Sequence, residues 1–148
     1  MEIERKFLIE KIPLTLETLA YDKIKQGYFS ILPEKRVRKR GDLYILTEKG
    51  EGDMIREEQE QIIDKELGEK LFALSQTHII EKTRYYVPFG EYTIELDVYE
   101  GRHKGLIVAE VEFASLDDAL NFVPPDWFGK DITKDKSYKN MMLALNKG

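Results

Sequence analysis

The chain opens with MEIERKF, residues 1–7, and the reading of this stretch decides the fold. Along an extended strand it places Glu2, Glu4 and Lys6 on one face and Ile3, Arg5 and Phe7 on the other. On an open sheet the charged face would simply be solvated. What that face meets depends on whether other strands repeat the pattern.

They do. Alternating segments recur as KIKQGYFSI (23–31), KRVRKR (35–40), LYILTEKG (43–50), REEQEQII (56–63), EKTRYYVPF (81–89), YTIELDVYEG (92–101) and LIVAEVEF (106–113). With EIERKFLI (2–9) they amount to about eight strands. Helical spacing is sparser. DKELGEKLFALSQ (64–76) sets Leu67, Leu71 and Leu74 on one stripe, and SLDDALNFV (115–123) holds Ser115 and Asp118 at capping-box spacing. DKSYKNMMLALNKG (135–148) sets Tyr138, Met141, Met142 and Leu145 on one face of a C-terminal helix ending in Gly148, with the methionines as core filling. PPDWFGKDIT (124–133) reads as an ordered loop anchored by Trp127 and Phe128. Helices are too few to cross over between every pair of strands, so the expected fold is α+β, with an antiparallel sheet and helices packed on it. Closure into an eight-stranded barrel would remove its edges.

The same spacing recurs as pairs of charges two residues apart. Glu2 and Glu4 are joined by Arg36 and Arg38, Glu58 and Glu60 with Arg56 before them, Lys82 and Arg84, Glu95 and Asp97, and Glu110 and Glu112. The alternate positions are apolar: Ile94, Leu96 and Val98 beside Glu95 and Asp97, and Ala109, Val111 and Phe113 beside Glu110 and Glu112. If the apolar side faces outward beneath the helices, the charges converge inside a channel and the hydrophobic core lies outside it. Most pairs carry one sign, and crowded like charges are best tolerated when a ligand or metal neutralises them. Paired carboxylates suit a hard cation, and clustered Arg and Lys suit a phosphate chain. The complementary ligand is a polyphosphate with Mg²⁺ or Mn²⁺.

Composition limits the alternatives. The chain has 148 residues, no cysteine and a formal net charge of −5, with 42% apolar and 34% charged residues. These numbers fit a single domain over 1–148, exclude disulfides and thiolate metal sites, and do not favour adhesion to nucleic acid or anionic membrane. No apolar run of about 18 residues and no signal-like segment occurs, so a cytoplasmic monomer or homodimer is expected. KRVRKR could suggest an RNA patch, but half of it points into the channel; Lys39 and Arg40 are expected to run on into a solvated turn at Gly41.

Taken in order, these motifs resemble those of the CYTH, or triphosphate tunnel metalloenzyme, superfamily. EIERK is similar to its ExExK signature, RVR to its paired arginines, LTEKG to its TxKG strand and REEQE to its RxExE strand. EKTRY is similar to its KxR strand, IELD to its ExD and VAEVEF to its EVEF strand, while WFGKDITKDKSYKN resembles the loop and final helix of short bacterial members. The resemblance implies an eight-stranded antiparallel tunnel that cleaves or rearranges a triphosphate with Mg²⁺ or Mn²⁺. By the same resemblance Glu2, Glu4 and Glu112 hold the metal, and Lys6, Arg36, Arg38, Lys49, Arg56, Lys82 and Arg84 cradle the phosphates. Glu58, Glu60, Glu95, Asp97 and Glu110 hold a second metal or orient water, with Lys82 or Tyr28 as a further proton acceptor or orienter. Many relatives carry Arg before the Tyr of the last motif; here that position is Ser137, leaving Lys134 or Lys136 to supply the charge. The leading expectation is a metal-dependent triphosphatase acting on inorganic triphosphate. A class IV adenylate cyclase and a non-catalytic polyphosphate-binding module are the alternatives.

Overall fold

The structure, a computed structural model, describes residues 1–145. Its strands follow the alternating segments: β1 (Glu2–Leu8), β2 (Ala20–Ile31), β3 (Glu34–Arg40), β4 (Leu43–Lys49), β5 (Ile55–Arg56), β6 (Glu58–Ile63), β7 (Ile79–Phe89), β8 (Tyr92–Tyr99) and β9 (Ile107–Glu112). They pair antiparallel in the order β5-β1-β9-β8-β7-β2-β3-β4-β6. The outermost strands, β5 and β6, are consecutive in the chain, so the sheet curls into a nearly closed barrel.

Nine strands replace the expected eight because REEQEQII is not one strand. Ile55 and Arg56 pair with Ile3 and Glu2, whereas Glu58–Ile63 pairs with β4. A chain that changes partners cannot keep one ladder, and it breaks at Glu57. The part of the same β1 edge that β5 leaves open is covered by the loop at 129–133, where Leu8 N donates to Lys130 O at 2.9 Å and Ile132 N to Lys6 O at 2.8 Å. As the sequence suggests, Trp127 and Phe128 anchor this loop, with the Phe128 ring 4.8 Å from that of Phe7.

Apolar side chains alternate outward and pack under the helices, which places most of the core outside the barrel. Phe7, Ile94, Leu96, Ala109, Val111 and Phe113 meet Ala119 and Phe122 of the α2 (Leu116–Asn121) region, whose N-cap Ser115 Oγ accepts from Asp118 N at 3.1 Å. Val37 and Tyr44 meet Phe72 of α1 (Lys65–Leu74), capped by Asp64. The expected Leu67, Leu71 and Leu74 stripe is shifted: Gly68 and Phe72 are buried, Leu71 is half-buried, and Leu67 and Leu74 are exposed. A Cβ at Gly68 would lie 2.2 Å from the Tyr44 ring, so the helix seats on its glycine and the buried stripe centres there.

A third apolar cluster lies at one end of the barrel interior, where Tyr28, Ile80, Tyr99 and Val108 pack with Ile132 and Ala144. The C-terminal segment closes that end, but not as the single helix expected. A 3-10 turn (Lys136–Tyr138) is followed by the short α3 (Asn140–Leu145), with a break at Lys139. The break rotates the buried face to Tyr138, Met141, Leu143 and Ala144 and leaves Met142 exposed; the expected Gly148 end lies outside the described residues. Among the described residues no helix is long and apolar enough to cross a membrane.

Candidate active site

The inward side chains enclose a cavity of about 310 Å³. Arg36, Arg38 and Arg40 of β3, Lys49 of β4, Arg56 of β5, Arg84 of β7 and Lys6 of β1 bring positive charge to it. Glu2 and Glu4 of β1, Glu58 and Glu60 of β6, Glu95 of β8, and Glu110 and Glu112 of β9 bring negative charge. These sites come together through register: Glu4 pairs with Glu112, Lys6 with Glu110, and Glu95 with Glu110 across adjacent strands.

The cations are held unevenly. Arg84 grips Asp97 through Nε to Oδ1 at 2.8 Å and Nη2 to Oδ2 at 3.0 Å, and reaches Glu95 at 3.3 Å through Nη1. Lys49 spans Glu2 at 3.2 Å and Glu58 at 4.0 Å, and Arg56 pairs with Glu34 at 2.8 Å. Arg38, by contrast, is buried with a hydrogen bond to Gln26 Oε1 at 3.1 Å and makes no ion pair among the described residues. Burial and the neighbouring Arg36 and Arg84 lower its pKa to about 9. Arg36 lies 3.7 Å from Glu58, and its Nε, like the buried Thr47 Oγ1, has no hydrogen-bond partner among the described residues. An unsatisfied buried donor costs about 1–3 kcal/mol, a cost that an anionic ligand would relieve.

The carboxylates are crowded. Burial and the facing Glu110 hold Glu4 well above the ordinary range. Glu110, although buried, is held well below that range by Glu4 and by the nearby Lys6, Arg84 and Lys49, so the facing pair is driven in opposite directions. Burial together with neighbouring carboxylates also raises Glu2, Glu95 and Glu112, with Lys49 and Arg84 opposing the rise at Glu2 and Glu95. All these groups offer oxygen donors suited to a hard divalent ion. Among the described residues, no three of them meet in a ready-made metal cage.

Lys82, Asp97, Lys134 and Lys136 stand outside the cavity lining. Lys82 and Asp97 do face inward, but at the level of the apolar end: Lys82 Nζ sits 2.6 Å from Asp97 and 5.4 Å from the Tyr99 ring centroid, behind Arg84. Burial lowers Lys82 to about 7 despite the attraction of Asp97, whereas burial of Asp97 is outweighed by Arg84 and Lys82, which bring it to about 2. Lys136 is exposed, because the 3-10 turn carries it away from the barrel. Asp135 caps this turn, its Oδ1 accepting from Ser137 N and Oγ at 3.1 and 2.6 Å, so Ser137 is spent on the turn.

Tyr28 does line the cavity, with its hydroxyl accepting from Gln26 Nε2 at 2.9 Å, and burial raises its pKa. The sequence reading missed Glu34, Arg40, Lys139, Asn140 and Met141. Glu34 and Arg40 extend the two-residue rhythm of Arg36 and Arg38, so Arg40 borders the site instead of a solvated turn. The last three carry no such periodic signal.

The chain is 42% identical to an inorganic triphosphatase of Nitrosomonas europaea over 150 residues, covering 98% of this chain and 97% of that protein. It is 35% identical to an inorganic triphosphatase of Acetivibrio thermocellus, covering 98% and 94% of the two. A crystal structure of an inorganic triphosphatase matches with a TM-score of 0.75 at 39% identity, covering 99% of this chain and 95% of that one. A putative adenylyl cyclase from Hippeastrum, at 15% identity and a TM-score of 0.61 over 81% of this chain and 83% of its own, shares the fold. No family model matches the chain.

Proposed function

This chain belongs to the inorganic triphosphatase family, and we propose that it hydrolyses the terminal phosphoanhydride of inorganic triphosphate, releasing orthophosphate and pyrophosphate, with a divalent metal. The observation that carries the reading is a buried Arg38 that makes no ion pair among the described residues, beside an Arg36 Nε and a Thr47 Oγ1 that find no hydrogen-bond partner among them, facing crowded carboxylates. Such a cavity suits a polyanion and a divalent cation bound together.

In this proposal Lys6, Arg36, Arg38, Lys49, Arg56 and Arg84 bind the phosphate oxygens and stabilise the charge that develops on the leaving pyrophosphate. Glu2, Glu4 and Glu112 would hold Mg²⁺ or Mn²⁺, with Glu95 contributing beside them. The ion, when bound, supplies Lewis-acid polarisation of the phosphoryl group. Glu58, Glu60 and Glu110 orient the attacking water and take its proton, and the neutral Tyr28 hydroxyl donates toward a phosphate oxygen. Lys82 and Asp97 act one layer back by holding Arg84 in place. Apart from Tyr28, Asn140 and Met141, every residue lining the cavity is charged. This offers little stacking surface to a purine and favours an inorganic substrate over the cyclase reaction.

The test is incubation of the purified protein with Mg²⁺ or Mn²⁺ and tripolyphosphate, ATP or thiamine triphosphate, resolving orthophosphate, pyrophosphate and cyclic nucleotide. Orthophosphate and pyrophosphate in equal amounts from tripolyphosphate are expected. Cyclic AMP from ATP as the main product would overturn the reading.

A further inference from the structure

We propose that Lys139 is a substrate-binding residue, contributed by the C-terminal segment, that adds a phosphate contact to those of the strands. This rests on the triphosphatase reading of the cavity. The break between the 3-10 turn and α3 falls on Lys139, whose N donates to Lys136 O at 3.1 Å and whose carbonyl accepts from Leu143 N at 2.9 Å. This geometry brings a half-buried side chain to the cavity wall, beside Asn140 and Met141. The alternatives are placed worse: Lys134 and Lys136 are exposed and line no part of the cavity.

Lys139 has donors to spare. Its Nζ donates to the carbonyl of Gly52 at 2.5 Å and makes no ion pair among the described residues. An ammonium has three N–H groups, so one can keep the tether to the β4–β5 loop while the others reach an anion. Burial and the nearby Arg56 already lower its pKa, the effect expected where cations gather without enough counter-charge. Lys139 therefore extends the positive wall from a segment outside the barrel, and the phosphate chain is gripped from the closing end as well as from the sides.

The experiment measures tripolyphosphate binding to the metal-free protein by titration calorimetry and, separately, KM and kcat with metal. Lys139→Gln keeps a donor for the Gly52 carbonyl but removes the charge. It is expected to weaken binding about 10- to 100-fold and to raise KM more than it lowers kcat. Lys139→Arg should restore most of the affinity, and Lys65→Gln on the outer helix should change nothing. If Lys139→Gln binds as tightly as the wild type while Arg38→Ala does not, the inference fails and the reading of the cavity stands. A wild-type protein that binds no tripolyphosphate would remove both. Equal melting temperatures confirm that the variants are folded, and loss of affinity in Lys139→Arg as well would show a tether rather than a phosphate contact.

Discussion

The two ends of the barrel interior are made from the same face of the same strands, yet they behave as different materials. On β7, Ile80 and Arg84 point inward; on β9, so do Val108 and Glu110. At one end Ile80, Val108, Tyr99 and Ile132 exclude water and add burial energy at roughly 25 cal/mol per Å². Toward the other, Arg38 lies buried without an ion pair among the described residues and Glu4 crowds Glu110, which costs stability. The contrast separates the part of the interior that holds the fold from the part that keeps a ligand waiting.

Glu4→Gln presses hardest on that contrast. Turnover at limiting Mg²⁺ or Mn²⁺ should fall on the order of 10³-fold, with the metal requirement shifted upward, while the fold survives. Normal hydrolysis by this variant would detach the acidic cluster from function. Ile80→Ala at the apolar end should do the reverse, lowering unfolding free energy by about 3 kcal/mol in denaturant titrations with little change in kcat. If it instead abolished turnover and left stability alone, the division between the ends would collapse.

Arg38→Ala should reduce kcat/KM on the order of 10²-fold, the loss expected for one preorganised donor, without lowering stability, because the charge removed is buried and makes no ion pair among the described residues. A large fall in melting temperature would count against that account. The smallest effect concerns pH in the metal-free protein. Glu4 has a folded pKa above its ordinary 4.5, so its contribution is fully present below that value and is lost as pH rises through the folded pKa. The melting temperature of Glu4→Gln relative to wild type should therefore increase from pH 5 to pH 8; a flat difference would mean that Glu4 is not crowded.

Much of this was legible along the chain. Alternation is local, because each side chain's face follows from its neighbour's, and so Glu2, Glu4, Arg36, Arg38, Glu95, Glu110 and Glu112 could be assigned inward before any contact was known. The core outside the barrel followed from the same rhythm. Glu34 and Arg40 were within reach of the rule and were missed only where it was not carried to the ends of β3.

Other features depend on partners distant in sequence. The break at Glu57 arises because β5 and β6 answer to different strands, and the buried stripe of α1 is set by how closely Gly68 lets it approach Tyr44. Lys82 shares the inward face of Arg84, but its place along the barrel, next to Tyr99, puts it behind the cavity wall. Lys139 enters only because the chain turns at 136–138 and crosses the end of the barrel. Periodicity by itself determined which face each strand side chain takes, since that is a property of the backbone over two residues. Depth along the barrel, and the contribution of the C-terminal segment, were decided by packing among strands brought together only in the folded chain.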